Sequence, residues 1–339
     1  MRIILDSADE VYCKRPITVN ETAIQLNTTL PDALAGQRLD MALAAVWPQF
    51  SRTRLKAWLE AGHITVNQQP AKPRYKVLGG ETLTLNAPTP TTEHWAAQAL
   101  PLDIIHEDEA ILVINKPPGM VTHPAPGHYD GTLVNALIHH QSALQNLPRA
   151  GLIHRLDKDT SGLLVVAKTI EVHHQLVKAL QARQIKRHYE AVVKGNLTGG
   201  GRIETLMSRD PRERTRMAVS VSGKIAVTHY RVIERFPGFT HISVQLETGR
   251  THQIRVHMAH LRHPIVGDPA YGNKTLPKGV CEPVKLAMMQ FKRQALHAKS
   301  LGLTHPITNE YCEWEAPLPE DMQKLIAVLK ENPHESHSR

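Results

Sequence analysis

The run Asn86–Pro101 most constrains how this 339-residue chain can fold. It holds three prolines (Pro88, Pro90, Pro101) and three threonines (Thr89, Thr91, Thr92), and hydrophobic periodicity lapses across it. A stretch of that composition is expected to act as a linker. A chain interrupted there folds as two bodies of unequal size. The upstream one, residues 36–86, lies near the lower limit for a self-sufficient core.

Within 36–86, Leu39, Leu43, Val46 and Trp47 fall at i, i+4, i+7 and i+8, which predicts a helix over Arg38–Trp47. Pro48 stops it. Ser51 is placed to N-cap a second helix, with Leu55, Trp58 and Leu59 on one face and Arg52 and Lys56 on another, ended by Gly62. Short strands are expected at Ile64–Asn67 and Glu81–Leu85, the latter entered through Gly79-Gly80. This is a small α/β unit. Residues 1–35 lack sustained periodicity and are expected to be an extension or a frayed edge.

Downstream, 87–101 is the expected linker, 102–330 a second domain and 331–339 a tail. Ala110–Asn115, Leu163–Lys168, His188–Val193, Ala226–Arg235 and Thr240–Glu247 have strand patterning. Helices are expected at Thr132–His140, Glu171–Arg183, Thr251–Leu261 and Pro319–Lys330. Strict βαβ alternation is absent. The prediction is an α+β domain with a mixed, largely antiparallel sheet.

Apolar stretches such as Ala110–Ile114 are strand-length, far below the roughly 20 residues of a membrane span. Asp6, Asp9 and Glu10 stand where a signal peptide needs an apolar core, so a cytoplasmic protein without a membrane partner is expected. Three cysteines (Cys13, Cys281, Cys312) with no Cys-x-x-Cys pair argue against a disulfide framework and a thiolate zinc site. The formal net charge is +8, and it is concentrated: 17 basic against 8 acidic residues over 149–235, and 7 against 3 over 36–86. Both clusters suit a phosphate-tracking surface. Aromatic residues make up only 4%, which disfavours a recognition sheet paved with Phe and Tyr.

The densest chemistry lies in Gly151–Gly162, GLIHRLDKDTSG, before the apolar strand LLVVAK. It packs His154, Arg155, Asp157, Lys158, Asp159, Thr160 and Ser161 into eight positions, either a solvated turn with an ion pair or a loop presenting a reactive carboxylate. In ETGRTHQIRVH (Glu247–His257), a helix would stack His252 on Arg255 and Gln253 on His257, as a charged pocket wall or a plain basic surface. Tyr189 sits in a strand, where a tyrosine is normally core or rim. NKPPGMVTHP (Asn115–Pro124) is a rigid loop, with structural and contact roles both open.

These segments together resemble the RluA-type RNA pseudouridine synthases. The resemblance is carried by VINKPPGMVTHP (Val113–Pro124), HRLDKDTSG (His154–Gly162), HYEAVVKG (His188–Gly195), TGRTHQIRVH (Thr248–His257), HPIVGDPAYG (His263–Gly272) and LHAKSLGLTHP (Leu296–Pro306), in that order. The unit Gly36–Leu85 resembles an S4 RNA-binding domain through SRTRLKAWLEAGHITVN and KVLGGETL. The resemblance implies a pseudouridine synthase catalytic domain preceded by an S4-type domain. Such an enzyme breaks the N1–C1′ bond of a uridine in RNA and rejoins the uracil through C5, with no cofactor and no metal.

By the same resemblance Asp157 is the essential carboxylate, attacking C1′ or removing a sugar proton. Arg255 is its ion-pair partner, Tyr189 the active-site tyrosine, and Arg155 the arginine that enters the space vacated by the flipped nucleotide. His154 and Asp159 are expected to support the loop. In the small domain Arg52, Arg54, Lys56, Lys72, Arg74 and Lys76 are candidate phosphate contacts. Clustered uridines of large-subunit ribosomal RNA, free or in a precursor particle, are the expected target, with transfer RNA as the alternative. No obligate protein partner is evident.

Two other classes compete. Asp157-Lys158-Asp159 has the spacing of an aspartyl-phosphate loop, but Gly267-Asp268 alone supplies a further acidic cluster for Mg²⁺. A non-catalytic RNA-binding assembly factor would keep the basic surfaces and could lack the set Asp157, Tyr189, Arg255.

Overall fold

The computed structural model describes residues 23–48, 50, 52–88, 95–125, 127–273, 275–277 and 279–331. The expected N-terminal extension up to residue 22, the Ser51 cap, part of the linker (89–94) and the tail from residue 332 lie outside the described residues. The chain divides into two compact units, Met1–Glu93 and His94–Arg339.

The first unit is built from β1 (Ala23–Thr29), α1 (Leu39–Val46), α2 (Arg52–Glu60), β2 (Ile64–Val66), β3 (Gln69–Pro70) and β4 (Thr82–Pro88). Its sheet has the order β1-β4-β2-β3, antiparallel throughout. Leu39, Leu43, Leu55, Ile64, Leu83 and Leu85 are fully buried between helices and sheet. The expected start at residue 36 is too late. Ala23–Thr29 pairs with Thr82–Pro88 along its whole length, and Ile24 and Leu26 pack on the core. The partner strand lies more than 50 residues on, so no local pattern announces the pairing.

The second unit contains β5 (Ile104–Glu107), β6 (Ile111–Lys116), α3 (Leu133–His140), β7 (Ser161–Ala167), α4 (Ile170–Gln181), β8 (Lys186–Lys194), β9 (Gly201–Arg209), β10 (Met217–Val219), β11 (Lys224–Phe236), β12 (Phe239–Leu246), α5 (Gln253–His260), α6 (Glu282–Gln290), β13 (Leu296–Thr304), β14 (Tyr311–Glu315) and α7 (Glu320–Glu331). Ten strands form one sheet in the order β10-β9-β11-β12-β8-β13-β7-β6-β5, with β14 also on β13. β13 and β7 run parallel; the other pairs are antiparallel. Thr132 caps α3 in a reciprocal box with Asn135, and Thr169 caps α4 through the Val172 N–H at 3.3 Å. No helix among the described residues is long and apolar enough to cross a membrane.

The later part of the expected linker belongs to this unit. Trp95 lies edge-on against His123 with centroids 4.6 Å apart, and Ala96 O accepts from Asn135 Nδ2 at 2.8 Å. Gln98 N donates to Asn135 O at 3.1 Å. A Pro/Thr-rich composition conceals these tertiary anchors.

The parallel β7–β13 junction fixes the entry to β7. Gly162 has φ +112°, and a Cβ there would lie 2.3 Å from Ala298 O. Only glycine lets the two strands close at that point. The loop that enters β7 is thereby held at the sheet's centre.

Candidate active site

Loop, strand and helix converge on one cleft of about 490 Å³. The loop before β7 brings Asp157, β8 brings Arg187 and Tyr189 on one face, and the turn after β12 leads into α5 with His252 and Arg255. His252 adopts a left-handed conformation (φ 56°), so α5 begins at Gln253, not at Thr251.

Arg255 links two carboxylates. Its Nη1 donates to Asp157 Oδ2 at 2.9 Å, while Nε and Nη2 donate to Asp268 Oδ2 and Oδ1 at 2.7 and 2.9 Å. Asp268 has a fully buried side chain and also accepts the N–H groups of Ala270 and Tyr271 at 2.9 and 3.0 Å. The bidentate grip fixes the guanidinium plane, leaving Nη1 aimed at Asp157. Asp157 keeps 18% of its side chain exposed, with Oδ1 3.8 Å from His252 Nε2. Tyr271 packs under Arg255 at 5.1 Å, and its hydroxyl meets Met217 N–H and His252 Nδ1, both at 2.8 Å.

Burial works against the Arg255 charge, but Asp268 and Asp157 outweigh it and raise its pKa. Burial likewise opposes the Asp268 anion, yet Arg255 and the two backbone N–H groups lower its pKa. The Tyr189 phenol is pushed up, chiefly by burial and further by Asp157, so it is neutral at physiological pH. Burial pushes His252 down despite the nearby Asp157.

Several bonds tie the loop that carries Asp157. His154 accepts the Val165 N–H through Nε2 at 3.4 Å, and burial lowers its pKa to about 3, so it acts as a neutral acceptor. Asp159 contributes its carbonyl, which accepts from Arg293 Nη1 at 3.1 Å. The main brace is Lys116, fully buried, which donates to Pro117 O, Met120 O and Lys158 O at 2.8, 3.0 and 3.0 Å. Thr122 Oγ1 adds a 2.7 Å bond to Leu156 O. The NKPPGMVTHP segment therefore braces the Asp157 loop. A lysine closing an apolar strand was its only sequence signal.

Of the expected pair Gln253 and His257, Gln253 lines the cleft and His257 does not. Both are buried, Gln253 against Thr248, Val227 O and Thr228, and His257 between Thr205 and Thr228. Arg155 is exposed at the cleft rim. Asp268 stands in the sequence as a lone acid short of a metal set; the fold makes it the anchor of Arg255.

In the first unit Lys72, Arg74 and Lys76 are exposed on the β3–β4 connection. Arg52 is tied to Asp40 at 2.6 Å, Lys56 pairs with Glu60 at 3.5 Å, and Arg54 lies 5.9 Å from the Trp58 ring centroid. Of the α2 cations, Arg52 at least has a structural task.

Comparison with known proteins agrees with this geometry. Residues 110–260 match the model of the RNA pseudouridylate synthase family, and residues 37–83 match the S4 domain. Ribosomal large subunit pseudouridine synthase D of Yersinia pestis is 51% identical over 314 residues, covering 92% of this chain and 97% of that one. The chain belongs to the RNA pseudouridine synthase family. The synthase D of Escherichia coli strain K12 is 50% identical over 309 residues, 91% of this chain and 95% of that one. Human RNA pseudouridylate synthase domain containing 4 superposes with a TM-score of 0.53 at 25% identity, over 67% of this chain and 93% of that chain. This pseudouridine synthase thus carries the S4 domain and the antiparallel-dominated α+β catalytic domain expected from its motifs.

Proposed function

We propose that this pseudouridine synthase isomerises clustered uridines of large-subunit ribosomal RNA in the cytoplasm, using Asp157 as its essential carboxylate. The relatives that match over nine-tenths of both chains bear the name ribosomal large subunit pseudouridine synthase D, which supports that target. The observation that carries the site is the pairing of a partly open Asp157 with an arginine whose other N–H groups are held by Asp268.

Bond cleavage at N1–C1′ sends the electron pair to the uracil, and Asp157 meets the sugar, by attack on C1′ or by proton removal. Arg255 holds the carboxylate through its 2.9 Å bond while RNA displaces water. The uracil turns, C5 bonds to C1′, and the C5 proton leaves. Tyr189, neutral and buried, stacks on the base and can relay that proton. Arg155 enters the space left by the flipped nucleotide, where a planar guanidinium stacks better than an ammonium. Lys72, Arg74 and Lys76 dock phosphates. The isomerisation is redox-neutral and transfers no phosphoryl group, so its chemistry calls for no cofactor.

The test is pseudouridine mapping by carbodiimide labelling and reverse transcription on unmodified large-subunit ribosomal RNA, with wild type and Asp157→Asn in parallel. New stops with the wild type alone are expected. Stops only on transfer RNA would move the target, and substantial Asp157→Asn activity would remove the carboxylate assignment.

A further inference from the structure

Arg187 is a buried cation to which the proposed mechanism gives no task. It is 6% exposed, and its buried Nε has no hydrogen-bond partner among the described residues. It lines the cleft that holds Asp157, Tyr189 and Arg255. An unpaired buried guanidinium is costly and is retained where a negatively charged or strongly accepting group arrives to meet it. Glu247, an acid that also lines the cleft, is already engaged by His229 at 2.6 Å and Arg183 at 2.7 Å. Gly249 covers the guanidinium, and a Cβ there would stand 2.6 Å from Arg187 Nη1, so the turn after β12 is shaped around it.

Arg187 and Tyr189 project from the same face of β8, two residues apart, about 7 Å along the strand. Of the cleft's other arginines, Arg149, Arg155 and Arg183 are exposed, Arg250 is half-buried, and the buried Arg255 is already engaged by Asp268 and Asp157. A flipped nucleotide places its phosphodiester at the rim and its base on the floor. We infer that Arg187 receives a carbonyl oxygen of the target uracil and stabilises the negative charge that the ring acquires when N1–C1′ breaks. When that bond breaks, its electron pair passes to N1 and spreads over O2 and O4, while Asp157 attacks C1′ or removes a sugar proton. Arg187 then acts as an oxyanion-type catalytic residue. This rests on the isomerase reading of the cleft and goes beyond it by assigning the leaving group's counter-charge.

The experiment is single-turnover consumption of the N-glycoside on two target RNAs, one with uridine and one with 5-fluorouridine, whose base departs more readily as an anion. Arg187→Ala is expected to slow the uridine reaction about 10²-fold with RNA affinity by filter binding unchanged, and Arg187→Lys to recover part of the loss. The defect must shrink on the 5-fluorouridine RNA. Because that comparison is a ratio within one protein preparation, partial misfolding does not alter it; if Arg187→Ala fails to fold, Arg187→Lys supplies the ratio. An equal defect on both RNAs, or a loss of affinity with the rate intact, overturns the inference. Wild-type pseudouridine formation is read separately, so failure of the isomerase reading is distinguishable from failure of this one.

Discussion

Two aspartate–arginine clusters in this chain use the same chemistry to opposite ends. In the first unit, two arginines share one acid: Asp40, 3% exposed, accepts from Arg38 at 3.0 and 3.2 Å and from Arg52 at 3.2 and 2.6 Å. Both oxygens are taken, and the cluster can only hold α1 to α2. In the second unit, two acids share one arginine. Asp268 takes two of the Arg255 N–H groups, and Asp157 receives one through a single oxygen. Its other oxygen is left toward the cleft. The ratio of partners decides which carboxylate is fully engaged and which is available for the proposed reaction.

The comparison breaks most sharply at the proposed reactive acid. Asp157→Asn should abolish turnover, by about 10⁴-fold or more in single-turnover rate, and leave RNA binding and melting temperature near wild type. Next comes the anchor. Asp268→Asn should cut the rate about 10–100-fold by freeing the Arg255 plane, with RNA affinity retained. If Asp268→Asn retains the wild-type rate, the two-acid arrangement is not what prepares Asp157.

Asp40→Asn should leave the rate at saturating RNA unchanged and destabilise the first unit by about 1–2 kcal/mol, discounted because Arg38 and Arg52 are half-exposed. Burial alone would raise the Asp40 pKa, but the bonds to Arg52 and Arg38 bring it below its ordinary 3.8. A depressed carboxylate contributes stability that is present above about pH 4 and fades as pH falls through the lower folded value. Urea unfolding of the wild type should therefore weaken below pH 4 more steeply than that of Asp40→Asn. The smallest effect is on docking. Replacing Lys72, Arg74 and Lys76 with Gln should reduce the slope of log Kd against log salt by up to about 0.7 per lost phosphate contact on single strands, with the chemical step untouched.

Much of the fold was legible locally. Helix stripes such as Leu39, Leu43 and Trp47, and apolar strands such as Leu163–Ala167, carry their own periodicity, and the structure places them within a residue or two of expectation. What escaped depended on distant partners. β1 has meaning only against β4, and Met217–Val219 only against β9. Trp95 reads as linker until His123 lies beside it.

The site divides in the same way. Asp157, Tyr189, Arg255 and Arg155 sit in dense local motifs, so the family could be read along the chain and these four singled out as candidates. Asp268, Tyr271, Lys116 and Arg187 could not be ranked there, because an acid, a phenol, a lysine and an arginine each have many ordinary uses. Lys116 becomes a brace because burial sets its ammonium among three carbonyls. Arg187 becomes an open cation because its surroundings offer Nε no acceptor. Residue type and local order determined the family, the elements and the candidate acid. Partner stoichiometry and depth, which exist only once residues separated by scores of positions share a wall, were decided by the tertiary structure.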